Sequence, residues 1–214
     1  NLACVTDEKS LIVGVFKTCS WQRNGLVYVP AVQIGTFNSI SDDRGKTILS
    51  QRLSTGEMIF LATDVPALAS KKYFLKKKKI NTTGMIANGK TLDNGIVRVV
   101  IDSQTGDISS LTKGAHEFVD TNAACALNSY RYLHGNESPD KATGTKNVKI
   151  SIKENGPLLA SLLVQSDAEG CHNLSRQITI IAGQPQVEIT NIVDKQAILK
   201  KEGIHIGFAF NISN

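Results

Sequence analysis

Short apolar segments with a period of two run through most of this chain, and they constrain its fold more than any other feature. Residues 204–212 show the pattern best, residues 11–16 and 96–101 are more continuously apolar strand candidates, and the runs are bounded by Gly, Pro, Asn or Asp. Alternation of this kind is typical of strands with one buried face. Helical periodicity is scarce. The pattern therefore predicts an all-β protein of the sandwich type.

The runs fall into two groups, separated by a turn-rich segment near residues 80–91. We expect a small β-sandwich domain over residues 1–80 and a second β-domain over residues 88–214. A chain of 214 residues can bury most of its apolar surface without a disulfide or a metal ion.

The second group of runs predicts particular strand pairs. Residues 96–101 and 108–111 should form a hairpin around a Gly-containing turn, and residues 176–181 and 187–193 a second one. Residues 158–164 are almost all apolar, which favours a strand covered on both faces. Residues 148–152 alternate between apolar and polar, and we expect residues 204–212 to form the most regular strand.

Positive charge is concentrated rather than spread over the chain. The formal net charge is +5 and the pI is about 9.0, with six lysines in one short stretch: Lys71, Lys72, Lys76, Lys77, Lys78 and Lys79. Aromatic residues make up only 6%, and no nucleic-acid-binding motif is present. We interpret the lysines as a solvated strand end or linker, and we expect no nucleic-acid partner.

No segment predicts a membrane span or a signal peptide. The longest apolar runs are much shorter than the ~18 residues that a spanning helix needs. The first ten residues lack the basic start and apolar stretch of a secretory signal. The compartment therefore stays open.

The sequence contains no self-sufficient catalytic motif. A nucleophile elbow, a P-loop and metal-ligand His spacings are absent. The cysteines show no Cys-x-x-Cys spacing and are interpreted as ordinary thiols: Cys4, Cys19, Cys125 and Cys171. Several carboxylates could serve a glycosidase but fit turn or surface positions better: Asp102, Glu117, Asp120, Glu188 and Asp194. We therefore predict no catalytic residue and no metal site within this chain.

One polar and aromatic segment stands out as a candidate binding site. Tyr130 and Tyr132 lie two residues apart, so on a strand both rings point to the same face. Tyrosines that offer a ring face and a polar tip are suited to a sugar site. A partly buried edge strand is the equally weighted alternative. The candidate substrate-contacting residues are Tyr130, Arg131, Tyr132, His134 and Asn136.

Several motifs resemble, in collinear order, the C-terminal β-domains of the family 38 glycoside hydrolases, the α-mannosidases. Residues 15–30 (VFKTCSWQRNGLVYVP) resemble the opening F-N-x-x-S-W-x-R-x-x-x-V-x-V-P of a small β-domain, with Lys17 where Asn is usual. Residues 62–69 resemble the end of that domain. Residues 92–99, 105–111, 177–180, 186–189 and 193–194 resemble segments of the large β-supersandwich, which is galactose-mutarotase-like.

The resemblance implies a parent enzyme that is a retaining, zinc-dependent α-mannosidase. Its zinc and catalytic carboxylates would lie in an N-terminal barrel that this sequence does not contain. The chain would be a non-catalytic region packing on that barrel, with α-mannosides or other glycans reached through the parent. Tyr130 best matches a family tyrosine that reaches the active-site rim, with Tyr132 as the alternative.

The sequence allows one alternative function and one further expectation. The chain could instead be a free-standing carbohydrate-binding β-sandwich module. If the supersandwich is incomplete, exposed edge strands would also favour self-association.

Overall fold

A computed structural model describes residues 2–7, 10–77 and 86–212, with side chains described from residue 11 onward. The chain divides into two compact units, Asn1–Gly84 with Gly156–Leu158, and Met85–Asn155 with Leu159–Asn214. Both units are built from antiparallel strands, which confirms the predicted all-β class. Most of the predicted domain boundary, together with Lys78 and Lys79, lies outside the described residues.

The first unit is a sandwich of a five-stranded and a three-stranded sheet, with strand orders β1-β2-β8-β4-β5 and β3-β7-β6. Its strands are β1 (Leu2–Asp7), β2 (Ser10–Phe16), β3 (Arg23–Val29), β4 (Ser39–Ser41), β5 (Thr47–Ile48), β6 (Ser50–Arg52), β7 (Met58–Val65) and β8 (Ser70–Lys76).

The alternating residues of the two sheets form one core. Leu11 and Val13 of β2, Val27 of β3 and Phe60 of β7 are buried in the same apolar cluster as Tyr73 of β8. On β8 the residues between the buried ones are more exposed, as the period of two predicts. The first half of β7, in contrast, is buried on both faces. Lys72 and Lys76 of β8 are exposed, in agreement with the predicted solvated strand end.

A short helix in the first unit was not predicted. Helix α1 (Ala31–Ile34) begins directly after Pro30 and ends at Gly35, which has a φ of +51°. Proline pre-sets φ at a helix start, and glycine accepts the positive φ that follows the last turn. One turn is too short to show helical periodicity in the sequence.

The second unit contains three sheets, with orders β13-β12-β11-β10-β9, β15-β16-β17-β18 and β14-β19. Its strands are β9 (Ala87–Asn88), β10 (Thr91–Asp93), β11 (Val97–Ile101), β12 (Ile108–Lys113), β13 (His116–Glu117), β14 (Ser129–His134), β15 (Thr145–Asn155), β16 (Leu159–Ala168), β17 (Cys171–Ile181), β18 (Val187–Lys195) and β19 (Glu202–Gly207). A single 3-10 turn spans Pro139–Lys141.

Residues of the five-stranded and four-stranded sheets share one apolar core. It includes Val99 of β11, Ile108 of β12, Leu162 of β16 and Ile178 of β17. The two predicted hairpins are confirmed as β11–β12 and β17–β18. Strand β16 is buried along most of its length, as its continuous apolar sequence predicts.

Two predicted strands differ from the structure. The pairing of β15 with β16 shifts at a bulge between Ile152 and Glu154, which takes Glu154 off the face of Ile152 and into a buried position. Ile152 itself, predicted to face the core, is 42% exposed. A bulge adds one residue and thereby reverses the faces of the residues that follow. Strand β19 ends at Gly207, so the predicted strand 204–212 is too long, and Phe210 makes only an isolated bridge to Val119.

The described helices are a single turn each, and none has the length and apolarity required to cross a membrane.

Candidate functional site

Strand β14 carries all but one of the candidate residues, and its pairing with β19 fixes where they point. Tyr130 lies opposite Ile206, and Tyr132 lies opposite Ile204. Both rings are on the same face, as predicted, and both are buried in a cluster with Cys171 and Leu174. The ring faces of the two tyrosines are therefore covered by protein.

The two tyrosine hydroxyls are also engaged inside the protein. Tyr130 Oη donates to the Glu169 carbonyl oxygen at 2.5 Å and lies 3.1 Å from Cys171 Sγ. Burial, followed by the contact with Cys171, raises the pKa of Tyr130 well above its usual value. Tyr132 Oη donates to the Glu202 carboxylate, and this hydrogen bond with burial raises the pKa of Tyr132 to about 12. Both phenols are neutral donors at physiological pH.

Gly170 makes room for the Tyr132 ring. Its φ is +77°, and a Cβ atom there would lie 2.4 Å from Tyr132 Cε2. Only glycine combines that backbone conformation with so close an approach. The position of the Tyr132 ring therefore depends on the turn between β16 and β17.

Beside the C-terminal end of β14 lies a polar group in which all members but Glu202 are exposed. We call it the His134 edge: His134, Asn136, Glu169, Lys195 and Glu202. His134 Nε2 lies 2.8 Å from Glu169 Oε1. Glu202 is ion-paired with Lys195, and hydrogen bonds from Lys195 and Tyr132 lower the pKa of Glu202. These two partners keep the Glu202 carboxylate ionised beside the buried phenol.

The exposed members of the His134 edge can hydrogen-bond to a hydroxyl-bearing ligand. His134 and Asn136 are both exposed, and Asn136 Oδ1 accepts a hydrogen bond from Lys201. The Glu169 carboxylate also accepts from Thr143 Oγ1 at 2.8 Å. An imidazole held by a carboxylate can donate or accept a hydrogen bond at its second nitrogen.

Arg131 lies on a cavity of about 460 Å³, which we call the Arg131 cavity. Asp107, Cys125 and Ser129 also line it. The guanidinium of Arg131 donates to the Ala124 carbonyl at 3.1 Å and to the carbonyl of Pro139, in the 3-10 turn, at 2.7 Å. Its hydrogen bonds hold the loops that flank β14.

A buried ion pair lies beside the Arg131 cavity. Arg176 Nη1 lies 2.6 Å from Asp107 Oδ1 and also donates to the Asn128 carbonyl at 3.1 Å. Arg176 Nη2 donates to the Thr105 carbonyl at 2.6 Å. Burial raises the pKa of Asp107, and the hydrogen bond from Arg176 opposes this shift. The pair joins β17 to the turn that precedes β12.

This ion pair was not predicted, although the sequence contains a signal for it. Arg176 has the same strand parity as Leu174, Ile178 and Ile180, which all lie on the core face of β17. A charged residue at a core-facing position is almost always paired. The alternation in residues 174–180 could therefore have predicted a buried Arg, but not its partner.

Two other predictions about chemistry concern metal sites and thiols. Within residues 10–77 and 86–212, no three His, Cys, Asp or Glu side chains cluster closely enough to hold a metal ion. The resemblance places zinc outside this sequence, and we assign zinc no step on these residues. Cys19, Cys125 and Cys171 are thiols, and the side chain of Cys4 lies outside the described residues.

The chain matches no protein-family model, and it matches no curated protein sequence. The two regions described above are therefore interpreted from their own geometry.

Proposed function

We propose that this chain is a non-catalytic C-terminal region of an α-mannosidase-like glycoside hydrolase, and that it packs on a zinc-dependent catalytic barrel. The sequence motifs motivate the family, as set out above. The structural observation that supports a packing role is an uncovered apolar segment at the end of β19.

The segment after β19 alternates like a buried strand but is exposed. Phe208, Phe210 and Ile212 are 48%, 47% and 80% exposed. Among the described strands, β19 pairs only with β14. Large contiguous apolar patches usually mark a site covered by another protein region, and we interpret these three side chains as part of one. In the proposal, that region is the catalytic part of the enzyme.

One motif of the resemblance has a clear structural role. In residues 105–107, the Thr105 carbonyl and the Asp107 carboxylate both bind Arg176. Between them, Gly106 has a φ of +71°, and a Cβ atom there would lie 2.2 Å from Arg176 Nη2. The Thr-Gly sequence therefore follows from packing, as expected of a supersandwich scaffold rather than a catalytic centre.

We assign the proposed contribution to the active-site rim to the C-terminal end of β14 rather than to its two tyrosines. Tyr130 and Tyr132 are buried, with hydroxyls bound inside the protein. His134 and Asn136 are exposed at the end of the same strand. We assign hydrogen bonding to sugar hydroxyls to these two side chains, and positioning of β14 to the tyrosines.

The proposal is tested by mixing this chain with the separately expressed catalytic barrel of a family 38 α-mannosidase. Chromogenic α-mannoside hydrolysis with added zinc and size-exclusion chromatography are the readouts. We expect no turnover by this chain alone, and a complex that raises the activity or stability of the barrel. Turnover by this chain alone, or no association, would contradict the proposal.

A matched pair of variants locates the contact. Phe208→Ser with Phe210→Ser should abolish association, because it removes the uncovered apolar rings. Val32→Ser with Leu68→Ser also removes two exposed apolar side chains, but from the first unit. This control should associate normally. Equal behaviour of the two variants would assign the contact to another surface.

A further inference from the structure

The three-stranded sheet of the first unit has an open edge at β3. In the order β3-β7-β6, strand β3 pairs with β7 on one side and with no described strand on the other. The opposing sheet has five strands. In an antiparallel pair, alternate residues of an edge strand direct their N–H and C=O groups away from the partner. Residues 25–29 therefore present a template for one more strand.

A groove runs along this open edge. Its volume is about 540 Å³, and it is lined by residues 15–19, which end β2 and follow it, by residues 23–28 of β3 and by Val65 of β7. Phe16 and Tyr28 line it with exposed rings. At Gly25, no atom lies within 4 Å of the position that a Cβ would take. The backbone of β3 can thus be approached closely from the groove.

The groove also contains a cation without a counter-charge. Lys17 lines the groove, and its Nζ is buried without a hydrogen-bond partner in the described structure. The Trp21 ring lies beside this ammonium group, with its centroid 5.8 Å from Nζ. Burial of an ammonium group is costly unless it is paired. Lys17 is only partly buried as a residue, and its stem is flexible. A turn of that stem would bring the ammonium group to the groove, where a ligand carboxylate would supply the missing partner.

We propose that this groove, which we call the β3 groove, binds an extended acidic peptide segment of a partner protein by strand addition. The peptide backbone pairs with residues 25–28 of β3. One Glu or Asp side chain of the peptide forms an ion pair with Lys17, and its apolar side chains contact Phe16 and Tyr28. Main-chain bonds give affinity in this mode of recognition, and the side-chain contacts give specificity.

The charges of the groove argue against a second copy of this chain as the occupant. Arg23 is exposed on β3 itself and also lines the groove. Two copies paired through β3 would bring the Arg23 and Lys17 groups of both chains to one interface. Like charges placed together in this way disfavour association. With an acidic partner, the charges across the interface would attract each other instead.

A strand edge also favours a peptide over an acidic sugar. As an edge strand, β3 offers backbone N–H and C=O groups along the groove. These groups repeat at the spacing of the matching groups on another strand. A saccharide would use Lys17 and the rings but not this repeated pattern. The two ligands therefore differ in whether the β3 backbone takes part in binding.

The experiment uses the full chain and the probe acetyl-Thr-Val-Glu-Val-Thr-Val-Thr-amide. Trp21 is the only tryptophan in the sequence, so its fluorescence reports binding beside Lys17. Amide hydrogen exchange reports protection along β3. We expect saturable binding, protection of residues 25–28, and about tenfold weaker binding of the Glu→Gln probe, because a charge-assisted hydrogen bond is lost.

Modified probes test the strand geometry without any risk to protein folding. N-methylation of one set of alternate peptide residues removes the donors that face β3, and N-methylation of the other set removes those that face solvent. One probe should lose at least about tenfold in affinity and the other should retain it. Equal affinities of the two probes would overturn strand addition.

Protein variants test the cation. Lys17→Met keeps most of the aliphatic length and should equalise binding of the Glu and Gln probes. Lys72→Met removes an exposed lysine from β8 of the same unit and should preserve the difference. The proposal is overturned if the probe gives no β3 protection at millimolar concentration. It is also overturned if glucuronate competes at equal affinity, because that result would assign the groove to small anions.

Discussion

The two units each bury the charged end of a basic side chain, but they treat it in opposite ways. In the second unit, Arg176 is 0% exposed and donates to Asp107, Thr105 and Asn128. In the first unit, the Lys17 ammonium has no hydrogen-bond partner in the described structure and lies beside an open groove. Arg176 is therefore a cation whose partners all lie within the fold, whereas Lys17 is a cation that we propose pairs with a ligand.

The side chains themselves fit these two roles. The planar guanidinium of Arg offers several donors in fixed directions, so it can bind two carbonyls and a carboxylate at once. A Lys ammonium is a compact charge on a flexible stem that accommodates different partners. The comparison therefore predicts a large stability penalty for removing the first charge and almost none for removing the second.

The largest effect should come from Arg176→Met. This change leaves Asp107 buried without its partner, and breaking a buried pair in this way costs about 3–5 kcal/mol. Urea unfolding followed by hydrogen exchange of β11, β12 and β17 measures it. Arg98→Met is the matched control, since Arg98 is exposed and its nearest carboxylate oxygen, on Asp93, is 3.9 Å away. It should cost no more than about 1 kcal/mol.

A second change identifies the source of that penalty. Asp107→Leu combined with Arg176→Met removes both charges, and should be less destabilising than Arg176→Met alone. If the double variant is as unstable as the single one, packing of the Arg176 stem, rather than the unpaired Asp107, carries the loss.

Much of this fold could be predicted from the sequence because it depends on local pattern. The alternation around the β11–β12 and β17–β18 hairpins fixes which face is buried, and turn residues fix where each strand ends. The errors have non-local causes. The bulge in β15 depends on its register with β16, and the early end of β19 depends on which strands lie beside it.

A middle-sized effect is expected for Gly106→Ala, which affects the space that Arg176 occupies. Alanine would be strained at a φ of +71°, and its Cβ would meet Arg176 Nη2 at 2.2 Å. The left-handed conformation and the displaced guanidinium together should cost about 2–4 kcal/mol. The free energy of unfolding from urea titration measures this loss.

Gly114→Ala provides the control for that experiment. Gly114 also has a positive φ, of +60°, but no atom lies within 4 Å of its Cβ position. It should show only the conformational cost of about 1–2 kcal/mol. Equal losses at the two glycines would mean that the guanidinium of Arg176 moves aside freely, and would weaken the description of Arg176 as a fixed structural cation.

The candidate sites were harder to predict than the strands. The i, i+2 spacing correctly placed Tyr130 and Tyr132 on one face, but not which face is covered. That outcome depends on Cys171 and Leu174 of β17, about 40 residues away in the chain. The β3 groove was not predicted, because Lys17, Phe16 and Tyr28 converge only when β2 and β3 lie in opposing sheets.

The smallest effect, and the sharpest test of the comparison, is expected for Lys17→Met. Loss of a buried ammonium that has no hydrogen-bond partner should leave stability unchanged or raise it by up to about 1 kcal/mol. Urea unfolding followed by Trp21 fluorescence measures this change, with Lys72→Met as the exposed-lysine control. A loss above about 2 kcal/mol would mean that Lys17 is structurally paired like Arg176. If stability is retained while the preference for the acidic probe is lost, folding and binding are carried by different cations in the two units.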